Sequence, residues 1–219
     1  MTGGETRLRA DPALVATWVQ GWALARGTPP PEPHADGFCI EVGWPQQARR
    51  YVFPHLSSEI ARLGVGIRQP WVYLKACASP ETVRAVLPSP WSVADATFMM
   101  TLDDLDRPPP LLPKDYRLTV EEGPAGSIVT VAAVGAVAAG GRVVTVGEIA
   151  IFDRIVTEPA FQRRGLGTVV MAALGQAARE RGAKRAVLVA TDDGRRLYEA
   201  LGWRLHALYT SAVILGAPG

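Results

Sequence analysis

Apolar residues change their spacing several times along this 219-residue chain, and each change marks an element. Leu14, Val15, Trp18, Trp22 and Ala25 recur at three- and four-residue steps, the spacing of one helix face. Asp11 and Pro12 stand where an N-cap and a first helical residue belong, and Gly27 ends the run. TPPPEPHADG reads as a loop. FCIEVGW and RRYVFP predict two strands, paired as a hairpin. SSEIARLG predicts a short capped helix, WVYLKAC a strand, SPETVRAVL a helix opened by Ser79, and ATFMMT a further strand. After residue 114 the pattern is clearer. YRLTVEEG, SIVTVAAV, AGGRVVTV and EIAIFDRIVT are β-rich and joined by glycine turns, which predicts an antiparallel run. A helix from Thr168 to Arg181 follows, ended by Gly182. AKRAVLVAT is an apolar strand. DDGRRLYEALG is a helix capped by Asp192 or Asp193, and WRLHA with YTSAVIL closes the chain as one or two strands. The class is mixed α and β.

One stretch divides the chain. RPPPLLP, residues 107–113, has four prolines in seven positions and cannot continue a helix. Five of the six tryptophans precede it, and an alanine-, glycine- and valine-rich part follows. The expected division is an α+β region over residues 1–106, a linker over 107–114 and a second domain over 115–219.

Composition narrows the function classes. Hydrophobic residues make up 48% and charged residues 20%, a globular balance. A net charge of +2 gives no global pull toward nucleic acid or membrane surfaces, so any anion site is local. Cys39 and Cys77 have neither metal nor redox spacing and read as buried hydrophobes in a reducing compartment. No cluster has metal-ligand spacing. The first residues lack the apolar run of a secretory leader, and no run is long enough to span a membrane. The expected location is the cytoplasm. Monomer and homodimer both stay open.

The chemistry sits at residues 159–174, PAFQRRGLGTVVMAAL. Gln162, Arg163 and Arg164 crowd the mouth of a helix. That end already carries partial positive charge, so an anion is expected there. Gly165 and Gly167 let a bulky anion approach the free amides of the first turn. No lysine follows the glycines, and residues 165–170 read GLGTVV, so neither common nucleotide fingerprint fits.

QRRGLG resembles the Q/R-x-x-G-x-G/A motif of the GCN5-related N-acetyltransferases, and the surrounding elements match over about residues 115–215. The resemblance implies a mixed, largely antiparallel sheet flanked by helices, and acetyl transfer from acetyl-CoA to an amine. It implies that the amides of Arg163, Arg164, Gly165, Leu166, Gly167 and Thr168 hold the pyrophosphate, with Arg164 as a direct charge partner and Gln162 part of the same cofactor-binding loop. Ile155, Val156 and Thr157 would offer backbone groups to pantetheine and the thioester. Tyr198, in LYEALGW, would protonate the leaving sulfur. Thr191 stands where the family often has a cofactor-contacting asparagine. The two helices usual after the family's first strand are missing, so residues 1–106 either replace them, as a degenerate copy of the fold, or form a lid. Ala186 stands where ribosomal-protein acetyltransferases carry an acid.

The base is open. Asp153 lies at even spacing from Ile155 and Thr157, so all three share a face unless a bulge intervenes. It is either the base or half of a structural ion pair; Glu148 and a water chain are the other candidates. His34, His55 and His206 read as structural or solvated, and the early tryptophans as core. The expected acceptor is a small-molecule amine, with a protein or peptide amine and a non-catalytic acyl-CoA sensor as alternatives.

Overall fold

A computed structural model describes residues 9–106 and 110–216. Arg107 to Pro109, the start of the proline-rich stretch, lie outside the described residues. The first half runs α1 (Pro12–Arg26), β1 (Glu32–His34), β2 (Gly37–Trp44), β3 (Gln47–Phe53), α2 (Ser58–Gly66), β4 (Val72–Ala76), α3 (Pro80–Val86), β5 (Ser92–Val93) and β6 (Thr97–Leu102). The second runs β7 (Arg117–Glu122), β8 (Gly126–Ala133), β9 (Ala136–Val146), β10 (Ile149–Thr157), α4 (Leu166–Glu180), β11 (Arg185–Ala190), α5 (Asp192–Ala200) and β12 (Arg204–Val213).

Local chemistry explains the ends of α1. The Asp11 carboxylate accepts from the Ala13 amide at 2.9 Å, and Gly27 closes the helix in the left-handed conformation. β1 arises inside TPPPEPHADG, read above as loop. It is a three-residue edge strand on β2, where a proline costs no ladder bond to an outer neighbour.

The strands join in one sheet ordered β1-β2-β3-β4-β12-β6-β11-β10-β9-β8-β7, with β5 on β12. Each half runs through the same motif. An antiparallel pair (β2–β3, β9–β10) leads into a helix and a strand parallel to the second member (β4, β11), then a further helix. The closing strands are exchanged: β6 pairs β11, β12 pairs β4, and the two pair each other.

Three apolar clusters fill the fold. Leu166, Val170 and Leu174 of α4, with Tyr198 and Trp203, cover one face of β8–β11. Tyr51, Phe53 and Leu74 pack with α2 and α3. Val15, Trp18, Val19 and Trp22 of α1 pack on the other face against Ile40, Val52, Ile151 and Tyr209. α1 touches β2 as well as β9 and β10, strands far apart in the ladder, so the sheet curls around it. β7 and β8 meet in a tight turn at Gly123–Gly126, with no helices between them.

The closeness of α1 depends on Gly21. A Cβ there would lie 2.4–2.9 Å from side-chain atoms of Ile151. Gly21→Val is expected to lower stability by about 1–3 kcal/mol through overpacking, measured as the urea midpoint at unchanged slope.

Candidate active site

The glycine loop forms an uncapped helix start. Gly165 is the N-cap of α4 at φ 77°, with no side-chain cap. The first turn closes with Val169 N–H donating to the Gly165 carbonyl at 3.2 Å, so the amides before it have no intrahelical acceptor. A Cβ at Gly165 would meet nothing within 4 Å, which leaves an open cradle, yet its φ disfavours any other residue. Gly167 is needed for closeness instead: a Cβ there would stand 2.9 Å from Leu197 of α5. Arg163 is exposed and also has positive φ, 62°. Arg164 is tied back, donating to the Tyr116 hydroxyl and the Ala160 carbonyl, both at 3.0 Å, while Gln162 donates to the Thr157 carbonyl at 3.3 Å. An apolar cavity of about 250 Å³ runs along α4 from Thr168 to Gly175, lined also by Leu105, Phe152 and Trp203.

The strand before the loop separates from its parallel neighbour. β10 pairs β11 only over Ile149–Ile151, while it follows β9 to Thr157. Its later residues therefore turn an unpaired backbone edge toward β11. A bulge between Asp153 and Val156, with Arg154 at φ 52°, marks the opening. The bulge decides which side chains share a face. Ile155 packs with the α4 cluster and Thr157 lies near Gly167, but Asp153 faces α1.

Tyr198 sits on α5 within the α4-side core, its ring 6.1 Å from Trp203 and over Gly194, where a Cβ would come within 3.1 Å. Burial pushes its phenol up to about 12, so it keeps its proton through neutral pH. Thr191, rather than Asp192 or Asp193, caps α5, accepting from Gly194 N–H at 3.2 Å.

Asp153 forms a bidentate pair with Arg26 at the C-terminus of α1. Nε meets one oxygen at 2.6 Å and Nη2 the other at 2.8 Å. Glu148 pairs with Lys184 on the surface, at the start of β10. The histidines have structural partners. His34 bonds Glu59 at 2.7 Å and His55 pairs with Asp36 at 2.8 Å. His206 accepts from Asp11 N–H at 3.0 Å, at the N-terminus of α1 and away from Asp153.

The family model described as "Acetyltransferase (GNAT) family" matches residues 96–203, from β6 through α5. This segment is a GNAT acetyltransferase domain. No curated protein sequence matches the chain. Among solved structures it is similar to a GCN5-related N-acetyltransferase from Kribbella flavida, at 18% identity and TM-score 0.69, over 97% of each chain. A GCN5-related N-acetyltransferase from Sphaerobacter thermophilus is 11% identical with TM-score 0.57, over 96% of each chain. A tandem GNAT protein from the clavulanic acid biosynthesis pathway, solved without AcCoA, is 15% identical with TM-score 0.54, over 95% of this chain and 97% of that one. The fold is that of the family, whose activity class is acyl transfer from acetyl-CoA.

On the α1 side of the same sheet lies a polar cluster that sequence reasoning passed over. Arg50, Tyr73, Lys75 and Tyr209 all face α1 from β3, β4 and β12, near Arg26 and Asp153. Strand parity was the available signal. Arg50 shares a face with Val52 in a strand whose other face carries Tyr51 and Phe53, so both faces are buried. Among the described residues no group of three or more His, Cys, Asp or Glu could hold a metal ion, and no helix is long and apolar enough to cross a membrane.

Proposed function

We propose that the chain is an N-acetyltransferase that moves acetyl from acetyl-CoA to the primary amine of a small molecule, by direct attack with both substrates bound. The observation that carries this is the uncapped, open start of α4 set beside the unpaired edge of β10. Amides from Arg163 to Thr168 hold the pyrophosphate, and the exposed Arg163 supplies charge to it. Gln162 and Arg164 shape the loop through their bonds to Thr157, Ala160 and Tyr116. Ile155, Val156 and Thr157 give pantetheine a strand-like edge, one amide of which faces the thioester oxygen as it gains charge. Thr191 fixes the start of α5, and Tyr198 donates to the departing sulfur.

Asp153 is better suited to holding Arg26 than to taking a proton, because the guanidinium fork engages both of its oxygens. The amine proton then leaves through water. Within residues 1–106, α1 walls the acceptor side, whereas β6 joins the cofactor-binding half between β11 and β12. Cys39 and Cys77 are free thiols, in keeping with a cytoplasmic protein.

The test uses CoA and acetyl-CoA. At 100 times its dissociation constant, either adds about 2.7 kcal/mol and raises the melting temperature. Gly165→Asp puts a carboxylate into the cradle at a strained φ and is expected to abolish that shift. Thiol release from acetyl-CoA must then depend on added amine. A shift unchanged in Gly165→Asp removes the loop from the cofactor site. Cofactor binding without release for any amine supports the sensor alternative.

A further inference from the structure

Arg50 is 5% exposed, and its Nε and Nη1 have no hydrogen-bond partner. A buried guanidinium without acceptors is costly, and native proteins rarely tolerate one. Its Cζ lies over the Trp22 ring, 3.7 Å from the centroid, but a ring face is no substitute for hydrogen-bond acceptors. The Tyr209 hydroxyl, on the same side of the sheet, is likewise buried and unpaired. Lys75 is 8% exposed and its ammonium reaches only the Ser211 hydroxyl, at 2.6 Å, and the rings of Tyr73 and Tyr209. The nearby carboxylate, Asp153, is already taken by Arg26. The group as built is short of negative charge.

Its position gives that shortage a meaning. Arg26 lies 5.3 Å from the Trp22 ring on which Arg50 stacks, and it pairs with Asp153 at the bulge where β10 leaves β11. One ring and one ion pair thus separate Arg50 from the unpaired edge of the cofactor strand. Tyr209 lies on β12 opposite Thr97 of β6, next to the end of β11 across the same opening. Arg26 and Trp44, both partly exposed, form the outer rim.

We propose that the acceptor amine also carries a carboxylate, and that Arg50, backed by Trp22 and joined by the Tyr209 hydroxyl, receives it. This rests on the acetyl-transfer reading and narrows its substrate class to amino acids and related amino carboxylates. A planar carboxylate matches the two unpartnered N–H groups of Arg50, Nε and Nη1. Arg26 is paired with Asp153 and Lys75 reaches the Ser211 hydroxyl, so Arg50 is the guanidinium of this group left without a carboxylate.

The experiment measures melting temperature with CoA bound. The probes are N-acetyl amino acids with small, apolar, acidic and aromatic side chains, each beside its carboxamide and its O-phospho-amino-alcohol counterpart. Acetyl transfer to the matching free amines is followed by thiol release. At least one acid is expected to shift the melting temperature where its amide does not, and to be acetylated roughly 10- to 100-fold faster than the amide. Arg50→Met should remove the preference and leave the shift caused by CoA alone. The apo variant should melt higher than wild type, since an unpaired buried charge is gone. Arg50→Lys keeps a charge but not the fork, so a weakened preference there supports the assignment even if Arg50→Met does not fold. Acids and amides behaving alike, phosphates winning, or a preference that survives both variants overturns the carboxylate proposal and leaves the transferase reading standing. A chain on which CoA gives no shift overturns both.

Discussion

Tyr198→Phe is expected to lower acetyl transfer roughly 10- to 1,000-fold while acetyl-CoA affinity changes little. The variant keeps the ring, and with it the packing on Trp203 and Gly194, and removes only the hydroxyl. The size of the effect follows from what that hydroxyl can do. Its pKa, raised to about 12 by burial, keeps it protonated at neutral pH. Full transfer to a thiolate of ordinary pKa, about 8.5, would run uphill. On the proposed role the hydroxyl would act chiefly by hydrogen bonding to sulfur as it takes on charge, with water completing the protonation. That interaction strengthens in the transition state, so it belongs in turnover rather than in affinity. Turnover should show no alkaline limb from this group below pH 10. Turnover, CoA-induced stabilisation and melting temperature are measured on one preparation. Wild-type turnover in a folded Phe variant would leave Tyr198 as a core residue only.

The residues that proved easy to read act through local rules. Asp11-Pro12 and Gly27 bound α1 by capping chemistry within a few residues of themselves. RRGLG declares a helix start without a side-chain cap, and the alternating strands after residue 114 fold as the antiparallel run their glycine turns require. The hidden features depend on partners far along the chain. ATFMMT looks the same whichever strands flank it, so nothing in it revealed that β6 lies between β11 and β12. Asp153 and Ile155 have even spacing, and only the bulge at Arg154 places them on opposite faces. Arg49 and Arg50 are adjacent in β3 and point to opposite faces. Arg49 reaches Glu41 on the partly open face, whereas Arg50 is enclosed because the sheet curls around α1.

Breaking the Arg26–Asp153 pair should produce the largest loss of stability. The side chains are 22% and 12% exposed, so the pair is mostly withdrawn from water. Asp153→Ala strands Arg26 beside Arg50 and Arg154, whose charges repel it. The expected cost is about 3 kcal/mol, the low end for a buried pair losing one partner because some exposure remains. The double variant Arg26→Met, Asp153→Leu removes both charges at similar volume and should regain most of that loss. The same variant separates structure from chemistry. An ion pair that only holds the end of α1 against the cofactor strand predicts turnover within a few-fold of wild type once the fold is restored. A general base predicts a folded protein that still gains stability from CoA but has lost turnover. The fork on both carboxylate oxygens favours the first outcome, with the amine proton leaving through water. Loss of turnover in the restored double variant would return the proton to Asp153 and require Arg26 to swing away when the acceptor binds.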